Sequence, residues 1–74
     1  MSTTTTYAVS GMTCAHCVAA VTEEVAALGG VSAVDIDLRA DGDSRVTVTS
    51  AAPLSLDEVR DAVDEAGYEV VAVR

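Results

Sequence analysis

Cys14 and Cys17, three residues apart, carry the concentrated chemistry of this 74-residue sequence, within the heptapeptide Gly11-Met12-Thr13-Cys14-Ala15-His16-Cys17. Two neighbouring thiolates suit a soft cation that accepts few ligands. Cu(I), soft, closed-shell and content with two sulfurs, fits best. Zn²⁺ fits less well, because its structural sites are closed by four ligands. The chain holds two Cys and one His, and no carboxylate is marked by its position as a ligand. A zinc site would be expected to place an acid beside the pair, where Thr13 stands. The rival use of C-x-x-C is dithiol–disulfide exchange. A thioredoxin-like protein would have a larger α/β fold, an aromatic before the pair and a proline inside it. Thr13 and Ala15-His16 provide neither. As a structural disulfide the pair would close too short a loop to constrain the unfolded chain much.

Each residue around the pair has a plain reading beside the chemical one. Free cysteines are among the most buried residues, so two small core hydrophobes is the plain reading of the pair; a polar loop bracketed by Gly11 and His16 opposes it. Met12 is a soft thioether, yet filling a gap in the core suits it better than ligation. His16 reads as a solvated loop side chain or as a ligand. A third role lies between these: its imidazolium would favour the thiolates electrostatically. On that reading His16→Ala shifts the acidity of the thiols and leaves one Cu(I) per chain. Tyr68 reads as a half-buried strand aromatic with a wet hydroxyl.

The elements that must hold these residues follow from periodicity. Met1 to Thr6 is a polar threonine run expected to fray. Tyr7 to Ser10 reads as a strand broken by Gly11. Met12 to His16 forms a loop, and Cys17 opens a helix in its first turn, where free amides and the dipole favour thiolate over thiol. Val18, Val21, Val25 and Leu28 make the helical stripe, ended by Gly29 and Gly30. Val34, Ile36 and Leu38 alternate with Asp35 and Asp37 in a second strand. A turn over Ala40–Asp43 leads to a third, in which Val46 and Val48 alternate with Arg45, Thr47 and Thr49. Ser55 and Glu58 form a capping box for a second helix with Leu56, Val59, Val63 and Ala66 inward and Gly67 as its stop. The last strand, Tyr68 to Val73, does not alternate, so pattern alone leaves its inward face open. The order strand, helix, strand, strand, helix, strand, with right-handed crossovers, predicts an α+β, ferredoxin-like βαββαβ sandwich: a four-stranded antiparallel sheet with both helices on one face.

Length and charge exclude other functions. Residues 1–74 make one small domain, which removes about 60% of its extended-chain surface from water and has no room for a deep cleft. The formal charge of −8, without a single Lys, disfavours nucleic acid and anionic membranes. Only Tyr7 and Tyr68 are aromatic, too few to stack bases. No apolar run reaches the ~20 residues of a membrane span, and Met1–Ser10 lacks the features of a secretory signal. These point to a cytoplasmic chain without membrane insertion. The acids of the second helix read as an ordinary wet face, or as steering toward a basic partner.

Taken together, the heptapeptide and these elements resemble the heavy-metal-associated domain family, most closely its free-standing bacterial copper chaperones, from about Tyr7 to Val73. The pattern G-M-T-C-x-x-C carries the resemblance, with Gly30-Val31 before the second strand and Ala66-Gly67-Tyr68 before the last. The resemblance implies that Cys14 and Cys17 ligate Cu(I), that Met12 packs beneath the site, and that Tyr68 is the tyrosine near the metal loop in the bacterial branch. Thr13, His16, Met12 and Tyr68 are then the residues around the ligands. It further implies a carrier and not an enzyme. Its partner would be a copper-transporting P-type ATPase, or the metal-binding domain of one, or a copper-responsive regulator. The chain would be a monomer without metal, able to form a Cu(I)-bridged dimer. Related domains also occur as modules of such ATPases, so a transporter module stays open as an alternative, as does a thiol–disulfide oxidoreductase.

Overall fold

Six elements appear in the expected order: β1 (Thr3–Ser10), α1 (Ala15–Ala26), β2 (Val31–Asp37), β3 (Ser44–Ser50), α2 (Leu56–Glu65) and β4 (Glu69–Val73). The structure is a computed structural model that describes residues 2–39 and 42–73. The four strands form one antiparallel sheet in the order β2-β3-β1-β4. Alternation along β3 is regular: Ser44, Val46, Val48 and Ser50 are buried, while Arg45 is exposed and Thr47 and Thr49 are half-buried. Register carries this to the neighbours, since Tyr7 and Val9 of β1 face Val46 and Ser44. Both helices pack on this side, α1 with Cys17, Val21 and Val25 and α2 with Val59, Ala62 and Val63. The chain is thus the ferredoxin-like α+β sandwich, its core built mostly of valine with Met12 as its largest fully buried side chain. Among the described residues, no helix is long and apolar enough to cross a membrane.

Several expectations need correction. Thr3 to Thr6 do not fray; they pair with Ser50 to Thr47 as the first half of β1. Threonine is a good strand former, and facing hydroxyls add cross-strand contacts. Here Thr4–Thr49 and Thr6–Thr47 meet at 3.4 and 3.2 Å. Met1 lies outside the described residues, as do Ala40 and Asp41 of the expected turn. Leu38 falls beyond the end of β2 and is exposed; Leu56, expected inward, opens α2 on its exposed side. Leu28 lies past the end of α1, whose C-cap is Ala27, and Gly30 serves the following turn instead, with φ +88°. In that turn the Val31 N–H donates to the Leu28 carbonyl at 3.3 Å. The irregular apolar run of β4 has a physical cause. Its register against β1 slips between Ala8 and Val9, a β-bulge that leaves Val71 without a partner and breaks the period of two.

Two helix ends bear on the site. At the start of α2, the Glu58 N–H donates to the Ser55 hydroxyl at 3.2 Å, one half of the expected capping box; the return bond from the Ser55 N–H to the Glu58 carboxylate is not formed. At its end, the Tyr68 N–H donates to the Val63 carbonyl and the Gly67 N–H to the Asp64 carbonyl, at 3.1 and 2.9 Å. This is a Schellman motif, with Gly67 in the left-handed position at φ +94°. It fixes where the chain leaves α2 and therefore where Tyr68 sits. No atom lies within 4 Å of a Cβ added at Gly67, so its backbone angle alone sets the cost of a substitution. Gly67→Ala is expected to destabilise the fold by about 1–2 kcal/mol, read as a shift in the urea midpoint at unchanged slope.

Candidate metal centre

The β1–α1 loop is pinned at both ends. Gly11 takes φ +90°, so the turn needs glycine for its angle, and the Tyr68 ring lies beside it, 3.4 Å from where a Cβ would stand. Met12 then enters the core, 1% exposed. Thr13 and Cys14 return to the surface. Cys14 is the N-cap of α1 in extended conformation, and its carbonyl accepts from the Cys17 and Val18 N–H groups at 3.1 and 3.3 Å. Its side chain makes no capping hydrogen bond, and the first turn contains no acid. The positive end of the helix is left facing sulfur.

The two cysteines are free, and their sulfurs lie 3.5 Å apart. That is well beyond the roughly 2.05 Å of a disulfide. Their environments differ. Cys14 is exposed and Cys17 is only 6% exposed, part of the core cluster. The expectation of two sulfurs on an open loop is corrected here: the plain reading of a buried cysteine holds for Cys17 and not for Cys14. The reason is helical geometry, since Cys17, Val21 and Val25 follow one another at intervals of four along the buried face. That spacing was available in the sequence.

Cys17 is the acidic member. Its pKa falls from 9.0 to about 6, chiefly because the Thr13 N–H donates to its sulfur at 3.5 Å and next because the Tyr68 hydroxyl stabilises the thiolate. Burial opposes this, and the Cys14 backbone and side chain lower it further. The same contact with Cys17 raises the pKa of Tyr68, aided by burial and the charges on the two sulfurs, so the phenol keeps its proton and remains a donor. The Thr13 hydroxyl sits 4.0 Å from the Cys17 sulfur. His16 is exposed and is not among the groups that set the acidity of Cys17. As the residue before Cys17 on a helix it points some 100° away. The tuning expected of His16 thus falls to Thr13 and Tyr68. The part played by the Thr13 amide could not be read from residue types, because any residue but proline would supply it.

Thiolate formation at Cys17 is therefore expected to be half complete near pH 6, read from the pH dependence of alkylation site by site. Tyr68→Phe raises that midpoint and His16→Ala leaves it in place. The sign for stability follows. Between about 6 and 9 the unfolded chain binds more protons at this thiol than the folded one, so stability rises with pH across that window and is lost as pH falls through about 6.

Among the described residues, no group of three or more His, Cys, Asp and Glu converges on a point that could hold a metal ion. A closed four-ligand zinc site is not built from them. What the geometry offers a metal is two sulfurs, one buried and acidic, one exposed.

Comparisons with known proteins agree with this architecture. Residues 6–69 match the family described as the heavy-metal-associated domain. The copper chaperone CopZ of Bacillus subtilis (strain 168) is 42% identical over 66 residues, which cover 88% of this chain and 91% of that protein. Among solved structures, a CopZ metallochaperone superposes with a TM-score of 0.79 at 27% identity, covering 93% of this chain and 100% of the other. The yeast copper transporter domain Ccc2a, solved in the apo and Cu(I)-loaded states, gives a TM-score of 0.74 at 26% identity, over 96% and 97% of the two chains. The family match includes the second half of β1, the loop and all of α1, and so both sulfurs, and this chain belongs to the heavy-metal-associated domain family.

Proposed function

We propose that this chain is a Cu(I) chaperone: Cys14 and Cys17 take up one Cu(I) as thiolates and pass it to a thiolate pair on a partner. The observation that carries this reading is the unequal sulfur pair, 3.5 Å apart, with Cys14 exposed and Cys17 buried. Two soft anionic donors suit a soft monovalent ion. The Thr13 amide and the Tyr68 hydroxyl offset the charge on Cys17, which makes it the retaining ligand. Cys14, at the surface, is the ligand to be exchanged. A partner thiolate adds to the copper on the side of Cys14, Cys14 departs, and a second partner sulfur then displaces Cys17. The copper stays Cu(I) throughout, so no electrons move, and no covalent bond of a substrate is made or broken. The carrier is not assigned an enzymatic activity.

The partner consistent with family resemblance is a copper-transporting P-type ATPase, through its metal-binding domain, in the cytoplasm; a copper-responsive regulator is the other candidate. The charge of −8 suits a partner with a basic face. Because Cys14 is exposed, two chains can share one Cu(I) through it, giving a metal-dependent dimer from apo monomers. A second reading, a metal-binding module of a transporter, is favoured by the likeness to the yeast copper transporter domain. An open reading frame continuing past Arg74 would support it.

Anaerobic titration with Cu(I), Zn²⁺ and Hg²⁺, read by thiolate-to-metal absorption and by mass, tests the main reading. Saturation at one Cu(I) per chain, undisturbed by Zn²⁺, is the expected result. Preference for Zn²⁺ over Cu(I) would overturn it, as would disulfide-reductase turnover that is lost in Cys14→Ser.

A further inference from the structure

The outer border of the sheet carries an apolar groove that the metal loop does not use. β4 is hydrogen-bonded to β1 on one side and ends the sheet on the other. Between this edge and the flank of α2 lies a groove of about 220 Å³ lined by Leu56, Arg60 and Val70 to Val73. Leu56, Val71 and Val73 are 41%, 45% and 50% exposed. The groove continues past Arg60 and Val70 into a second hollow of about 570 Å³, where Asp57, Asp61, Asp64 and Glu69 stand around Arg60, with Tyr68 at its end. An open edge strand is a template for another strand. This edge has little of the usual protection: from Val70 to Val73 it bears no charge and no proline. The bulge at Val71 limits any added strand to a short one.

Charge selects the occupant. A strand laid beside β4 directs alternate side chains toward α2; beside Val71 to Val73 it meets Leu56 and Arg60, and past Val70 it reaches the carboxylates of Asp57, Asp61 and Asp64 on α2 and of Glu69 on β4. A second copy of this chain, at −8, would bring carboxylates against carboxylates. A strand with arginine or lysine at alternate positions and aliphatic residues between them matches both the carboxylates and the valines. We infer that the α2–β4 edge is a docking site for a short, extended, basic and aliphatic segment of another protein, which binds by adding a strand to β4. Apart from Tyr68 at its end, none of the groove belongs to the metal site, so this docking does not depend on copper.

The test is an ¹⁵N NMR titration with a short synthetic peptide alternating arginine and valine, and a control alternating glutamate and valine. Saturable shifts confined to Glu69–Val73 and the Asp57–Asp64 flank, with the basic peptide alone, are expected. The exposed double substitution V71K/V73K weakens binding roughly tenfold or more, and D61N/D64N weakens it and flattens its salt dependence. The metal-free and Cu(I)-loaded native chains bind the basic peptide alike. Shifts centred on α1 or the open face of the sheet, equal binding of the acidic peptide, or indifference to V71K/V73K would overturn the inference. So would concentration-dependent self-association abolished by V71K/V73K, which would make a second copy the occupant.

Discussion

Replacing either cysteine with serine removes stoichiometric Cu(I) binding. With both sulfurs in place, the second ligand stands 3.5 Å from the first and is offered without a further encounter. With one sulfur, the copper must find its second ligand in solution. Linking two binding groups commonly raises affinity by about 10²–10⁴-fold, and a loss of that order is expected in either variant. Competition against a soft-metal chelator under anaerobic conditions reads it. The two variants separate in a second measurement. Cys14 is exposed, so Cys14→Ser leaves the unfolding midpoint of the apo protein unchanged. Cys17 packs with Val21 and Val25 in the core, so Cys17→Ser also lowers stability, because the smaller hydroxyl fills the site less well and cannot ionise to supply the stability that the lowered thiol pKa gives above about pH 6. A variant pair with equal stabilities would contradict the asymmetry drawn between the two sulfurs.

The second large effect falls on a residue with no proposed bond to metal. Met12→Ala is expected to destabilise the fold by about 2–5 kcal/mol, the range for emptying a buried methionine site. Met12 is 1% exposed and the largest of the fully buried side chains. A chain of 74 residues has roughly 4–11 kcal/mol of total stability at typical values per residue. The substitution therefore removes a large share of it, and Met12 also anchors the loop between Gly11 and Cys14. Met12→Leu nearly conserves volume and is expected to cost under about 1.5 kcal/mol. Urea unfolding of the two variants reads these values. Met12→Leu should also bind one Cu(I) per chain. A leucine variant that folds but loses copper would make Met12 a ligand, against the packing role its burial supports.

The way the site came out of the sequence shows where pattern is strong. C-x-x-C at a strand-to-helix junction located the sulfurs, because local spacing decides which residues a short loop can bring together. The helical stripe at Val21 and Val25 was equally plain, and its extension back to Cys17 needed only one more step of four. His16 went the other way: its chemistry drew attention to a side chain that stands outside the contacts setting the acidity of Cys17. The Thr run shows the reverse error, polarity read as fraying where β-branching and a waiting partner strand make a sheet.

Local order in the chain was enough for the six elements, the helix stop at Gly67 and the pairing of Cys14 with Cys17, since period, turn chemistry and capping act over a few residues. The tertiary structure alone decided that Tyr68 comes to the covered sulfur from the far end of the chain, and that β4 slips its register at Val71. These depend on contacts between residues some fifty or sixty positions apart. Such contacts are set by how strands pair and how helices lie on them, and no local period encodes that.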